Sequence, residues 1–341
     1  VTANQTNLKI TPGVQRVAAP KPQTEIIIRP LTESDVAAAD RIMRLAFGTF
    51  LGMPDPIQFM GDTDFARTRW KADPSGAFAA EQNGKLIGSN FAANWGSFGF
   101  FGPLTIHPEC WDRGAAQRLL GPTMDIFERW GTRHCGLFTF AGSPKHIALY
   151  QKFGFWPRDL VATVETEVSP ASQLAAPPSD TSLFSESKPG DHNQILAAAR
   201  QLTGAIFEGL DVSREIRAVA QQSLGETVLV WDGANLAAFG VCHLGPGTEA
   251  GSGMCYVKFA AVRPGLHAQA NFLRLLDGVE YLAAQRGANK ITAGVNLARR
   301  EAYQKLFECG FRTKMQGLAM ETGDASSGYN RAGVYILDDW R

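Results

Sequence analysis

The stretch Leu104-Thr-Ile-His-Pro108-Glu-Cys-Trp111-Asp-Arg-Gly114-Ala-Ala116-Gln-Arg-Leu-Leu120 reads as a strand, a proline stop, a small-residue loop and a helix start. Backbone N–H groups at the head of a helix lack partners within it, and the aligned peptide dipoles make that end positive. Such a loop suits an anion, above all a phosphate or pyrophosphate. Gly114 leaves room for close backbone approach, and Arg113 and Arg118 would add charge-assisted contacts. An ordinary strand-to-helix turn would use the same small residues. A second stretch, Ala148-Leu-Tyr150-Gln-Lys-Phe153-Gly154-Phe155, reads as a helix closed by a glycine C-cap with an aromatic after it. Taken alone, it asks of Tyr150 only packing.

The surrounding pattern must position these stretches. Glu25–Arg29 is β-rich and predicts a strand. Thr32–Asp35 carries capping chemistry ahead of Val36, Ile42 and Leu45, so a helix is expected to about Phe47. Asn83-Gly84, between Phe78 and Ile87, predicts a hairpin, because both residues accept positive φ. Phe98–Ile106 reads as one strand. Gly114–Trp130 reads as a helix with Leu120, Met124 and Phe127 on one face, and Pro122 is expected to kink it. Gly136–Phe140 follows as a strand and Lys145–Phe153 as a short helix. This order gives a mixed α/β sheet with a parallel pair near its centre.

The pattern occurs twice. Pro108 and Gly154 stand 46 residues apart, as do Pro264 and Gly310. Leu119-Leu120, Gly131 and Asp35 correspond to Leu275-Leu276, Gly287 and Asp191, all at an offset of 156 residues. A Pro- and Ser-dense segment, 169–180, separates the two copies and predicts a linker. The expected organisation is a flexible tail over 1–23, one domain over 24–168, the linker, and a second domain over 181–341.

Composition narrows the function classes. The chain has 341 residues, 45% hydrophobic and 19% charged, so two packed cores are affordable and disorder is excluded. Lys and Arg total 33, as do Asp and Glu, which removes any global charge argument for nucleic acid or a membrane surface. No run of about 18 apolar residues occurs, so no spanning helix is expected. The polar opening residues lack the apolar centre of a secretory signal. Five scattered cysteines (Cys110, Cys135, Cys242, Cys255, Cys309) with no C-x-x-C pair argue against a disulfide framework or zinc site and fit a reducing cytoplasm.

Together, at this spacing, the two chemical stretches resemble the GNAT superfamily of acyl-CoA N-acyltransferases. The family's loop reads Gln/Arg-x-x-Gly-x-Gly/Ala after a strand ending Val-x-Pro. Here the frame is Trp111-x-x-Gly114-x-Ala116 after Ile106-His-Pro108. The family's later signature, roughly Asn-x-x-Ala-x-x-Leu-Tyr-x-x-x-Gly-Phe, reads Ser143-x-x-His146-x-x-Leu149-Tyr150-x-x-x-Gly154-Phe155. The resemblance spans nearly all of 24–160 and, more weakly, 181–315. Trp111 replaces Gln or Arg, and Ser143 replaces Asn.

The resemblance implies two tandem GNAT-like α/β domains and acetyl-CoA as co-substrate. The co-substrate would lie where the strand through Leu104, Thr105 and Ile106 splays from Leu137–Phe140. Pantetheine amides would pair with the backbone of Leu104 and Ile106. The pyrophosphate would rest on the N–H groups of Arg113, Gly114, Ala115, Ala116 and Gln117, with Trp111 and Asp112 leading into that loop. Ser143 and His146 would contribute from the later helix. A neutral amine would attack the thioester carbonyl while a strand N–H stabilises the oxyanion. Tyr150, at the family's general-acid position, would protonate the leaving thiolate, to which a phenol of pKa ~10 is suited. Several groups stand as general-base candidates: Glu109 and His107 beside the loop, and Asp55, Asp62 and Asp64 after the first helix.

Acceptor choice would fall to Gly48–Trp70 and to Trp95-Gly-Ser-Phe98-Gly-Phe100-Phe101. Those aromatics suit either an apolar acceptor wall or a core cluster. A wall would favour an amine with a hydrophobic part over a polyamine. The second repeat keeps the frame without the chemistry: its loop reads His267-Ala-Gln-Ala270-Asn-Phe272, and Leu306 stands where the first has Tyr150. Two classes follow. One is an N-acetyltransferase acting, in its first repeat, on a primary amine of a small molecule or peptide. The other is a non-catalytic acyl-CoA sensor or interaction scaffold. Tyr150 and Gly114 favour the first, Trp111 and the altered second repeat the other. Monomer and homodimer both stay open.

Overall fold

The computed structural model describes residues 25–171, 177–323 and 328–340. The expected tail, 1–23, lies outside the described residues, as do residues 172–176 of the expected linker. The first half runs β1 (Ile26–Pro30), α1 (Val36–Phe50), α2 (Phe65–Ala72), β2 (Ala77–Gln82), β3 (Lys85–Trp95), β4 (Phe98–Phe101), β5 (Thr105–Ile106), α3 (Ala115–Trp130), β6 (His134–Thr139), α4 (Pro144–Gln151) and β7 (Trp156–Glu167). The second runs β8 (Thr181–Leu183), α5 (His192–Gly204), α6 (Ser213–Gln222), β9 (Gly225–Asp232), β10 (Asn235–Gly245), β11 (Gly251–Val262), α7 (Ala268–Gln285), β12 (Lys290–Asn296), α8 (Arg300–Glu308), β13 (Arg312–Glu321) and β14 (Ile336–Leu337).

Local chemistry explains most boundaries. The Asp35 carboxylate accepts from the Thr32 N–H at 2.9 Å and pairs with Arg29, fixing the approach to α1. Asp64 caps α2 by accepting from the Arg67 N–H at 2.9 Å. Asn83 (φ 55°) and Gly84 (φ 71°) form the two-residue turn between β2 and β3. Pro122, where a kink was expected, lies inside α3, which continues past it from Ala115 to Trp130. Only the Arg118 carbonyl loses its intrahelical donor there, and Leu119, Leu120, Ile126 and Phe127 hold the helix to the sheet. The expected single strand Phe98–Ile106 is divided. β4 pairs with β3 and, in parallel, with β6, whereas β5 pairs with β3 alone. The last β4–β6 pair is Phe100↔Gly136, so the chain leaves β6 before Leu104. That departure opens a wedge between β5 and the end of β6.

The two halves share one 14-stranded sheet of order β1-β2-β3-β4-β6-β13-β7-β12-β11-β10-β9-β8, with β5 and β14 alongside β3 and β11. The final long strands are exchanged. β6 pairs with β13 of the second half, and β12 pairs with β7 of the first. β7 and β13 then pair with each other at the centre. Each half keeps its own parallel pair, β4–β6 and β11–β12. One core packs Leu119, Leu120 and Phe155 under α3 together with Met320 of β13, and another packs Phe272, Leu275 and Val295 with Ala162 and Val164 of β7. A third fills the junction with Trp95, Phe98, Phe100, Leu210 and Phe259. Of the aromatic run, Trp95, Phe98 and Phe100 are therefore core.

Candidate active site

The wedge between β5 and β6 is the mouth of a cavity of about 720 Å³. Leu104, Thr105 and Ile106 form one edge, Trp111, Asp112, Gly114, Ala115, Ala116 and Gln117 the loop end, and His146 and Tyr150 of α4 the floor. Arg113 is exposed and Ser143 is buried as the N-cap of α4; neither borders the cavity.

The loop has the backbone that an anion site needs. Asp112 (φ 63°) and Gly114 (φ 79°) both take the left-handed conformation. A Cβ built on Gly114 would meet nothing within 4 Å, so that face is open. The first intrahelical bond runs from the Arg118 N–H to the Gly114 carbonyl, which leaves the Ala115, Ala116 and Gln117 amides ahead of the ladder. Lys145 of α4 and Lys152, which caps its C-terminus, are seven residues apart and hence on one face, and both reach this loop. Lys145 pairs with Asp112 at 2.5 Å, and Lys152 donates to Gln117 Oε1 at 3.5 Å. The sequence reading passed over both, although their spacing beside a phosphate loop was visible. The Thr105 hydroxyl is buried at the cavity edge with no hydrogen-bond partner among the described residues. Open amides, flanking ammonium groups and an unsatisfied hydroxyl all fit a phosphate-bearing, amide-rich group such as acetyl-CoA.

One edge differs from expectation. The Trp111 indole N–H donates to the Ile106 carbonyl at 2.7 Å. Where a Gln or Arg would face the phosphates, the indole instead fastens the loop to β5. It engages a carbonyl that was expected to face pantetheine.

Tyr150 is 8% exposed and lies against Phe101, ring centroids 5.7 Å apart. Burial pushes its hydroxyl well above the ordinary phenol range, offset in part by a hydrogen bond with Thr139. The phenol therefore keeps its proton throughout the neutral range, but it is a weaker acid than the ordinary phenol expected from the sequence and less closely matched to a thiolate. Burial, and then the neighbouring Lys145 charge, hold the His146 imidazole below its usual pKa, so it is neutral at pH 7. The base candidates His107, Glu109, Asp55, Asp62 and Asp64 all lie off the cavity lining. Asp62 is instead bonded to the Ser252 N–H at 2.9 Å, and Asp64 to Arg67.

The far wall is aromatic. Phe47 packs on Phe59 (5.3 Å), and Phe50 on both Phe140 (5.0 Å) and His146 (5.1 Å). Phe65, Phe101 and Phe138 extend this surface, and Met315 and Trp340 join it from the second half. Nothing local in the sequence ties Met315 or Trp340 to this cavity, because the strand exchange brings them there. The second half also reaches the turn after β4: Arg69 bonds to the Gly102 carbonyl, and both Glu249 carboxylate oxygens lie 3.0 Å from its guanidinium.

Comparison with known proteins bears on the fold. Residues 41–155 match the model of the acetyltransferase (GNAT) family. A Pyrococcus horikoshii protein assigned as an acetyltransferase shares the fold over 96% of this chain and 99% of its own, at 14% identity and a TM-score of 0.65. A tandem GNAT protein from the clavulanic acid biosynthesis pathway aligns over 89% of this chain and all of its own, at 12% identity and a TM-score of 0.54. A GCN5-related N-acetyltransferase from Sphaerobacter thermophilus aligns over 87% and 95%, at 14% identity and a TM-score of 0.54. No curated protein was found to match the chain. Among the described residues no helix is long and apolar enough to cross a membrane. Residues 41–155 thus match the acetyltransferase (GNAT) family model, in a chain that shares its fold with a tandem GNAT protein.

Proposed function

We propose that the protein transfers an acetyl group from acetyl-CoA to a primary amine of a small molecule or peptide, and that the reaction runs in the first of two GNAT-like units, 24–168 and 181–341. The observation that carries this reading is the convergence of the Gly114 loop, the buried Tyr150 and an aromatic wall on one cavity. The amides of Ala115 to Gln117, with Lys145 and Lys152 beside them, hold the pyrophosphate. Leu104 and Thr105 offer the strand edge to the pantetheine arm. Acetyl-CoA supplies an activated thioester carbon.

The protein's part is positioning and proton control. The aromatic wall disfavours a charged ammonium, so the acceptor reacts as a neutral amine. Its lone pair forms the C–N bond, the C–S bond breaks, and sulfur leaves with the electron pair. Tyr150, still protonated, donates to that sulfur, and the amide nitrogen loses its proton to water. An amine with an aromatic or aliphatic body fits this wall better than a polyamine.

The test is release of CoA thiol from acetyl-CoA with 2-phenylethylamine, spermidine and a short peptide. Turnover favouring 2-phenylethylamine supports the proposal. Saturable CoA binding with no thiol release from any amine would make the chain a sensor, a reading that the engaged Ile106 carbonyl favours.

A further inference from the structure

The second half retains the wedge of the first and fills it with its own chain. Its parallel pair runs from Met254↔Lys290 to Val257↔Ala293, after which β11 continues without β12. At the repeat offset, Ala260–Val262 correspond to Leu104–Ile106. On this stretch β14 lies antiparallel, Ile336 opposite Ala261 and Leu337 opposite Ala260. The Val262 N–H donates to the Tyr335 carbonyl at 3.0 Å. The segment thus occupies the strand edge that in the first half faces the cavity. Phe272, at the position of Ala116, closes the loop side and lies 5.0 Å from the Tyr335 ring.

Buried polar groups fasten the segment. Arg299, fully buried at the position of Ser143, donates to the Ile336 carbonyl at 3.0 Å and to both Asp338 oxygens at 2.9 and 3.3 Å. The Tyr329 hydroxyl bonds to Asp338, and the Tyr256 hydroxyl to Asp339 at 2.9 Å. Two glycines make the space. A Cβ on Gly294 of β12 would lie 2.1 Å from the Asp339 Cβ, and one on Gly136 of β6 would lie 2.7 Å from the Trp340 ring. Between Asp339 and Trp340 the chain passes from the second wedge to the wall of the first cavity.

We propose that the second wedge is a cofactor cleft occupied by residues 334–340, and that this anchored segment delivers Trp340 as an acceptor-selecting wall of the first cavity. The word acceptor rests on the acetyltransfer proposed above. One half of the duplication has become the mount for a specificity residue of the other.

The test uses the full chain with CoA bound and 1-naphthylmethylamine as probe, read by calorimetry so that no turnover is needed. Trp340→Ala is expected to weaken the probe about tenfold and Trp340→Phe less than threefold, both keeping one CoA per chain at unchanged affinity. Asp338→Ala, or the milder Asp338→Asn, is expected to speed hydrogen exchange at the Val262 amide and weaken the probe with it. Wild-type stoichiometry of two CoA would overturn the filled cleft. Unchanged probe affinity in Trp340→Ala, or no probe binding to the wild type, would overturn the wall. Probe binding that responds to Trp340→Ala without turnover in the wild type would support this inference while refuting the proposed reaction.

Discussion

Replacing Gly114 by Asp should separate the loop's structural role from its binding role. Gly114 sits at φ 79°, where a side chain costs about 1–2 kcal/mol. The new Cβ would touch nothing within 4 Å, so no packing is lost. A carboxylate at the head of α3 returns about 0.3–1 kcal/mol by facing the positive end of the helix. The fold should therefore lose only about 1 kcal/mol, by the difference of those terms. Binding should lose far more. A carboxylate roughly 5 Å from one phosphate charge is repelled by about 1–3 kcal/mol between fully aqueous and protein-like screening. That corresponds to roughly 5- to 150-fold in Kd. Gly114→Ala carries the backbone cost without the charge. Gly131→Ala carries a similar cost at φ 70° with open space around it, away from the cavity. Calorimetry with CoA at low and high salt completes the set, since a charge effect shrinks as salt rises. Equal affinities for the Asp variant and both Ala variants in folded protein would refute the anion site.

Tyr150→Phe should lower kcat by roughly 10²-fold with little change in CoA affinity, and wild-type turnover from pH 6 to 9 would make Tyr150 a packing residue. His243 is fully buried, and desolvation, then Lys258, hold its pKa at about 3. The unfolded chain takes up that proton below about 6.5 and the folded chain does not until about 3, so stability should fall with pH across this window. Near pH 4.5 the loss is about 3 kcal/mol, and urea melts showing equal stability at pH 7 and 4.5 would contradict it. Glu249→Gln leaves two buried cations, Arg69 and Lys258, short of their carboxylate. Chemical denaturation should show a loss of about 3–5 kcal/mol, and weaker CoA binding should follow from the freed Gly102 turn.

What was legible in the sequence was what local chemistry encodes. The Asn83-Gly84 turn, the Gly114 loop and the helix closing at Gly154 each need a particular backbone, and only a few residue types supply it. The repeat was legible because Pro108/Pro264 and Gly154/Gly310 mark the same turns twice. The partners of exposed strand edges were not legible. Nothing in His134–Thr139 says that its neighbour is Arg312–Glu321 and not Trp156–Glu167, since backbone pairing leaves no mark in the residue types of either strand. The wall residues Met315 and Trp340 were invisible for the same reason. That Trp111 replaces a Gln or Arg was legible, but not that its indole N–H would bond to the Ile106 carbonyl. The carboxylates offered as bases stood near the site in sequence, yet Asp62 and Asp64 serve Ser252 and Arg67.

The exchanged strands impose an order on biosynthesis. Thr139 of β6 pairs with Leu318, which leaves the ribosome 179 residues later. At about 5–20 residues per second that is a wait of roughly 10–40 s with a central strand edge open. The first half carries most of the cavity lining but cannot close its sheet until β13 is made. During that interval β6 is a template for any other strand, including β13 of a neighbouring nascent chain. A ribosome pause or truncation after residue 168 should therefore yield an aggregation-prone fragment rather than a smaller enzyme. The second copy, once fused, cannot be shed by deletion, because it holds the strand that completes the first.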